Sequence, residues 1–217
     1  MNKAERTSLI AIPIVILIGV AIALAGSQAG TRAAGMPVFG IGVALAFIIN
    51  WIAFIPAYLR QTEIFFDLTG GITFISVVVM SVILSPVVDG RSWLLLAMVV
   101  VWALRLSLFL FQRILAAGED RRFRELKVSF TMFLQTWTLQ GLWVTFSLAA
   151  ALAAITSQNR LELGVYALVG FLVWLFGFAF EVIADSQKSQ FKADPENEGK
   201  FINVGLWSWS RHPNYFG

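Results

Sequence analysis

Residues 36–59 read MPVFGIGVALAFIINWIAFIPAYL, 24 residues without a charged side chain. A helix needs about 20 mostly apolar residues to cross the hydrocarbon core of a bilayer. In lipid a strand of this length would leave its backbone groups unpaired, whereas a helix pairs them internally. The stretch therefore predicts a transmembrane helix, and the rest of the chain repeats the pattern. Apolar runs of similar length occupy roughly residues 8–26, 69–88, 93–112, 130–156 and 163–183. The expected fold is all-α, a polytopic bundle of about six spans forming a single integral membrane domain over residues 1–217. No short segments of alternating polarity mark an outer-membrane barrel.

Composition agrees. Only 13% of the 217 residues are charged and 58% are hydrophobic, whereas a soluble domain carries about a quarter charged residues to cover its core. There is no cysteine and one histidine, His212, which excludes disulfides, thiolate chemistry and His-rich metal sites. The first apolar run follows Lys3 and Arg6 and ends in small residues, like a secretory leader. It is longer than a leader's apolar region, so it reads as a span.

The basic residues fix an expected orientation. Lys3, Arg6, Arg60, Arg113, Arg121, Arg122, Arg124, Lys127, Lys188, Lys192, Lys200 and Arg211 fall on one side of a six-span chain, against Arg32, Arg91 and Arg160 on the other. The positive-inside rule places the N-terminus and the larger set in the cytoplasm. The expected location is the bacterial inner membrane, with cytoplasmic loops at about 113–129 and 184–217. The cations flank spans instead of forming one stripe, so nucleic acid is not an expected partner.

Three polar features lie on that side. In the first, Gln61, Glu63 and Asp67 surround the connection between the second and third runs; Asp67 reads equally well as a helix-capping acid. In the second, Arg105 lies about two turns inside a span, where an ionised group needs a partner, and Arg113 precedes Gly118-Glu119-Asp120-Arg121-Arg122. The third is the long polar stretch from Glu181 and Asp185 onward, closing with Arg211-His212-Pro213-Asn214-Tyr215-Phe216-Gly217. Its mixture of Asn, Ser, Arg, His, Tyr and Trp suits a nucleotide-like ligand or an interfacial aromatic belt. No glycine-rich phosphate loop occurs.

From about residue 58 the chain resembles the steroid 5α-reductase family, in particular its bacterial branch. The likeness rests on Gly199-Lys200-Phe201, Gly205-Leu206-Trp207-Ser208 and the Arg211–Gly217 segment, with Gly118–Arg121 and Gln140–Trp143 fitting the same branch. It implies an NADPH-dependent reductase, 3-oxo-5α-steroid 4-dehydrogenase-like, acting on the conjugated double bond of a lipid-soluble enone such as a 3-oxo-Δ4-steroid. It implies further that Gln61 and Glu63, with Trp102 where animal enzymes carry Tyr, meet the substrate carbonyl, Glu63 as a protonated donor. Arg105, Arg113, Glu181, Asp185, Lys200, Asn203, Leu206, Arg211, His212, Asn214 and Tyr215 would hold NADPH. The protein would work as a monomer among membrane lipids, and family members continue into a further C-terminal span.

Two rival readings remain. The Arg-His-Pro-x-Tyr-x-Gly core is shared with isoprenylcysteine-type methyltransferases, which use S-adenosylmethionine. A non-enzymatic scaffold or transporter is the other, although transporters usually place polar groups near the membrane midplane.

Overall fold

The computed structural model describes residues 3–216; Gly217, which closes the quoted motif, lies outside the described residues. The chain divides into two compact units, Met1–Glu162 and Leu163–Gly217. Among the described residues six helices are long and apolar enough to cross a membrane, and the protein is an all-α, polytopic membrane protein.

The first unit contains α1 (Lys3–Gly26), a two-residue hairpin of β1 (Arg32–Ala33) and β2 (Met36–Pro37), α2 (Val38–Leu59), α3 (Phe66–Leu84), α4 (Gly90–Ala117) and α5 (Phe130–Thr156). The hairpin pairs antiparallel, Ala33 opposite Met36, and turns through Ala34 and Gly35, both at positive φ. α5 is the hub, packed by α1, α2 and α3 and more lightly by α4. α2, α3 and α5 bury close to half of their apolar windows and α1 and α4 about a tenth, so the first three form the interior and the other two face outward.

The interior is built from Phe39, Val43, Ala46, Phe47, Val77, Val144, Leu148 and Leu152. Lipid tails are as apolar as leucine, so helices associate here through close packing and hydrogen bonds. Gly141 provides the packing: a β-carbon there would lie 3.2 Å from the Phe47 Cα and 3.3 Å from the Ala46 carbonyl oxygen. Two neighbouring residues of α2 provide the hydrogen bonds. Asn50, fully buried, donates to the Ala46 carbonyl at 2.8 Å and to Thr73 Oγ1 on α3 at 3.3 Å. Trp51 Nε1 donates to Thr138 Oγ1 on α5 at 3.1 Å.

Contacts between connections confirm the alternation of spans within this unit. At one end the Ser129 hydroxyl, just before α5, donates to Glu5 of α1, and Lys127 reaches Glu63 between α2 and α3. At the other end Arg160, after α5, donates to the Val87 carbonyl at 2.7 Å and lies 3.6 Å from Asp89.

The second unit contains α6 (Val165–Ala193) and three short 3₁₀ turns, Pro195–Asn197, Gly205–Ser208 and Pro213–Tyr215. Two helices run past the ends that hydropathy sets. α4 continues through Arg113 until Gly118, whose φ of 81° only glycine adopts freely. α6 continues ten residues beyond 183, until Asp194 leaves the helical region and caps the following turn.

Candidate functional site

In the first unit, the polar groups at one end form a clasp. α2 ends at Arg60, and Gln61 takes φ of 52°, a left-handed step that turns the chain toward α3. The exposed Gln61 side chain donates back to the Tyr58 carbonyl at 2.7 Å. Glu63 is buried, 4% exposed. Its Oε1 accepts the Asp120 backbone N–H and its Oε2 accepts Lys127 Nζ, both at 2.8 Å. One carboxylate thus ties the α2–α3 connection to the α4–α5 connection, with Phe123 buried beside it against Phe54, Phe133 and Trp137. Both carboxylate oxygens accept hydrogen bonds, one of them from the Lys127 ammonium.

Trp102 packs edge-on to Phe74 at 4.9 Å, inside the helix layer. Arg105 is half-buried, with its guanidinium 5.2 Å from the centre of the Phe109 ring. Arg113 is exposed near Asp67 and Asp120.

The loop after α4 is ordered by its own charges. Asp120 accepts the Arg122 backbone N–H at 2.9 Å and its side-chain Nε at 3.0 Å; Arg124 pairs with Glu119. The hydrogen bond from the Arg122 guanidinium holds the Asp120 carboxyl below its ordinary value of 3.8 despite its partial burial. A carboxyl depressed in the folded state contributes stability above its unfolded value and loses it as pH falls through its folded value. The thermal midpoint in detergent is therefore expected to fall as pH drops below about 4 and through the folded value of Asp120, and Asp120→Asn should flatten that fall.

The second unit carries the other group of candidates. Glu181 and Asp185, four residues apart on one face of α6, are both buried. Asp185 Oδ1 accepts Asn214 Nδ2 at 3.2 Å, drawing the tail back onto α6. Two further bonds reinforce this return: Gln187 Oε1 accepts the Leu206 N–H at 3.0 Å, and Trp207 Nε1 donates to the Ala184 carbonyl at 2.9 Å. Asn214 Oδ1 is buried with no hydrogen-bond partner among the described residues. His212 and Tyr215, both exposed, stack at 5.3 Å with 17° between their planes. Between the end of α6 and the returning tail lies a cleft of about 350 Å³, lined in part by Lys188, Lys192, Lys200, Trp207, Arg211 and His212. Asn203 lines a shallower depression that shares Trp207 and Arg211.

Sequence reasoning missed Lys127 and Asp120 as the partners of Glu63, and Gln187 as the clamp on Leu206. Long-range pairing leaves no spacing signal. Asn50 left one: it is the only Asn, Gln or charged residue in the 24-residue run 36–59.

These features define an integral membrane protein with polar clusters at its helix ends. Residues 53–217 match the family described as "Protein of unknown function (DUF1295)", and the chain belongs to that family. Over 123 residues it is 32% identical to "Probable O-methyltransferase ustE" of Ustilaginoidea virens, a match covering 50% of this chain and 42% of that protein. The chain thus spans less than half the length of this relative. No solved structure matches.

The methyltransferase relative overturns the resemblance to steroid 5α-reductases, and with it NADPH, the enone substrate and 3-oxo-5α-steroid 4-dehydrogenase chemistry. The Arg-His-Pro core does not choose between the two enzyme classes. The reductase expectation rests on Gln61, Glu63 and Gly118–Arg121, and the structure gives these residues other tasks. Gln61 closes a helix end, Glu63 binds Lys127, Gly118 stops α4 and Asp120 caps a 3₁₀ turn. The carbonyl-polarising roles assigned to Gln61, Glu63 and Trp102 fall with the reductase reading.

Proposed function

We propose that the chain is a membrane methyltransferase that uses S-adenosylmethionine to methylate an oxygen of a lipid-soluble acceptor. The observation that carries this reading is the 32% identity to a probable O-methyltransferase. The Arg211-His212-Pro213 motif at the mouth of the cleft supports it. When bound, S-adenosylmethionine supplies a methyl group on a cationic sulfur.

The second unit's side chains suit that molecule. Glu181 and Asp185 place two buried acids on one helix face, favouring a ligand with positively charged ends. The unpartnered Asn214 Oδ1 is an acceptor for an ammonium or a ribose hydroxyl. Arg211 offers a fork for a carboxylate, and the His212–Tyr215 stack offers an aromatic face for a base. Lys200, Asn203 and Leu206 form the surrounding wall. Arg105 and Arg113 of the first unit are assigned no contact with the donor. The excess of basic residues on one side of the spans supports a cytoplasmic position for these groups.

The test uses the purified full chain, methyl-labelled S-adenosylmethionine and a total lipid extract. Label should pass to the organic phase; release by mild base would identify a methyl ester, and retention a methyl ether. Absence of both donor binding and label transfer would overturn the proposal.

A further inference from the structure

The cleft holds more positive charge than a methyl donor needs. Lys192, Lys200 and Arg211 line it with the single acid Glu198, and Lys188 lines its wall over the Trp207 ring. S-adenosylmethionine carries one carboxylate beside two cationic groups, so one of these cations suffices and the others would repel it. Only this charge accounting rests on the proposed function; the position and lining of the cleft do not.

The depth of the cleft suggests what the remaining charge serves. Val165 to Ala184 is 20 residues of α6, about 30 Å at 1.5 Å per residue, which matches the hydrocarbon core. Lys188 lies one turn further, about 6 Å, within the headgroup layer of roughly 5–7 Å. Lys192 lies a turn beyond that, and its flexible side chain can reach back. The tail brings aromatic rings just below that level, at the edge of the hydrocarbon core: Phe216 packs on Phe180 at 5.1 Å and Trp209 on Phe180 at 6.4 Å. Phe201 and Trp209 are largely exposed at the rim, as aromatic residues are at a membrane interface. Trp207, pinned to the Ala184 carbonyl, forms a fixed wall under Lys188 Nζ, 4.4 Å from its ring centre.

We infer that this cleft binds the phosphate headgroup of an anionic phospholipid. Lys192 and Lys200 are, with Arg211, its exposed cations, and the aromatic rim lies along the acyl chains. The cleft's lining does not include Glu181 or Asp185, the acids that the proposed function assigns to the methyl donor, but it shares Lys200, Arg211 and His212 with that site.

Native mass spectrometry of the full chain in detergent, without methyl donor, tests this with short-chain phosphatidylglycerol, phosphatidylcholine and inorganic phosphate as probes. Phosphatidylglycerol should bind and phosphatidylcholine should bind at least tenfold more weakly. The Lys192→Gln/Lys200→Gln variant should lose at least tenfold in phosphatidylglycerol affinity, and Lys192→Gln alone, at a residue outside the proposed donor site, should weaken the lipid with S-adenosylmethionine affinity unchanged. Lys192→Arg/Lys200→Arg should retain the lipid. Equal binding of the two lipids, an unaffected glutamine variant, or displacement of phosphatidylglycerol by millimolar inorganic phosphate would each overturn the assignment. Failure of donor binding alone would sink the methyltransferase reading and leave this one standing.

Discussion

Glu63→Ala is expected to destabilise the first unit by about 3–5 kcal/mol, the cost of leaving a buried cation without its partner. The Lys127 side chain is only 18% exposed and the Glu63 side chain 2%, so water replaces the lost carboxylate only in part. The Asp120 N–H would lose its acceptor as well. Thermal unfolding in detergent should show the loss. Because the chain has no cysteine, Arg121→Cys provides a single label site, which should react faster once the clasp is broken. The Glu63→Leu/Lys127→Met pair should recover much of the stability lost in Glu63→Ala, since an apolar pair of similar volume often replaces a buried ion pair without loss. An unchanged melting midpoint in Glu63→Ala would show that the clasp contributes nothing. A catalytic role for Glu63 would instead leave the midpoint intact and remove activity.

The second large effect is expected at Asp185. Asp185→Ala should weaken S-adenosylmethionine binding about 10- to 150-fold, corresponding to the roughly 1.5–3 kcal/mol of a hydrogen bond to a charged group. Asp185 also holds Asn214, so a loss in the alanine variant has two possible origins, and Asp185→Asn separates them. The amide can still accept from Asn214 but has no charge to offer a cation. If the asparagine variant binds as weakly as the alanine variant, the charge meets the donor. If it binds like the unaltered chain, Asp185 acts by holding the tail. Titration calorimetry on the purified chain reads both variants.

The spans were legible because each is an apolar run longer than the bilayer is thick, and lipid permits a single backbone solution there. Their ends were less so. Hydropathy places the end of α4 at Gln112, where charge begins, yet helical hydrogen bonding does not stop at a charge. It stops at Gly118, and in α6 at Asp194. In the candidate site, Glu181 and Asp185 were legible from their i, i+4 spacing, which predicts one shared face. Glu63 was legible as a polar residue beside a turn, but its task was not. Lys127 is 64 positions away, and only the antiparallel return of α3 and α4 brings the two together. The reductase expectation failed at the same place, because a carboxylate near a helix end looks alike whether it meets a substrate or a lysine.

The position of α5 at the centre of the first unit has a consequence for biogenesis. α1 and α2 enter the bilayer before their main packing partner exists, and 70 residues separate Leu59 from Phe130. At about 5–20 residues per second, translation leaves the early helices waiting roughly 4–14 s. During that interval the indole N–H of Trp51 lacks the Thr138 oxygen that later accepts it. The insertion machinery, or a chaperone within the membrane, must shelter that donor from the lipid until the fifth helix is released.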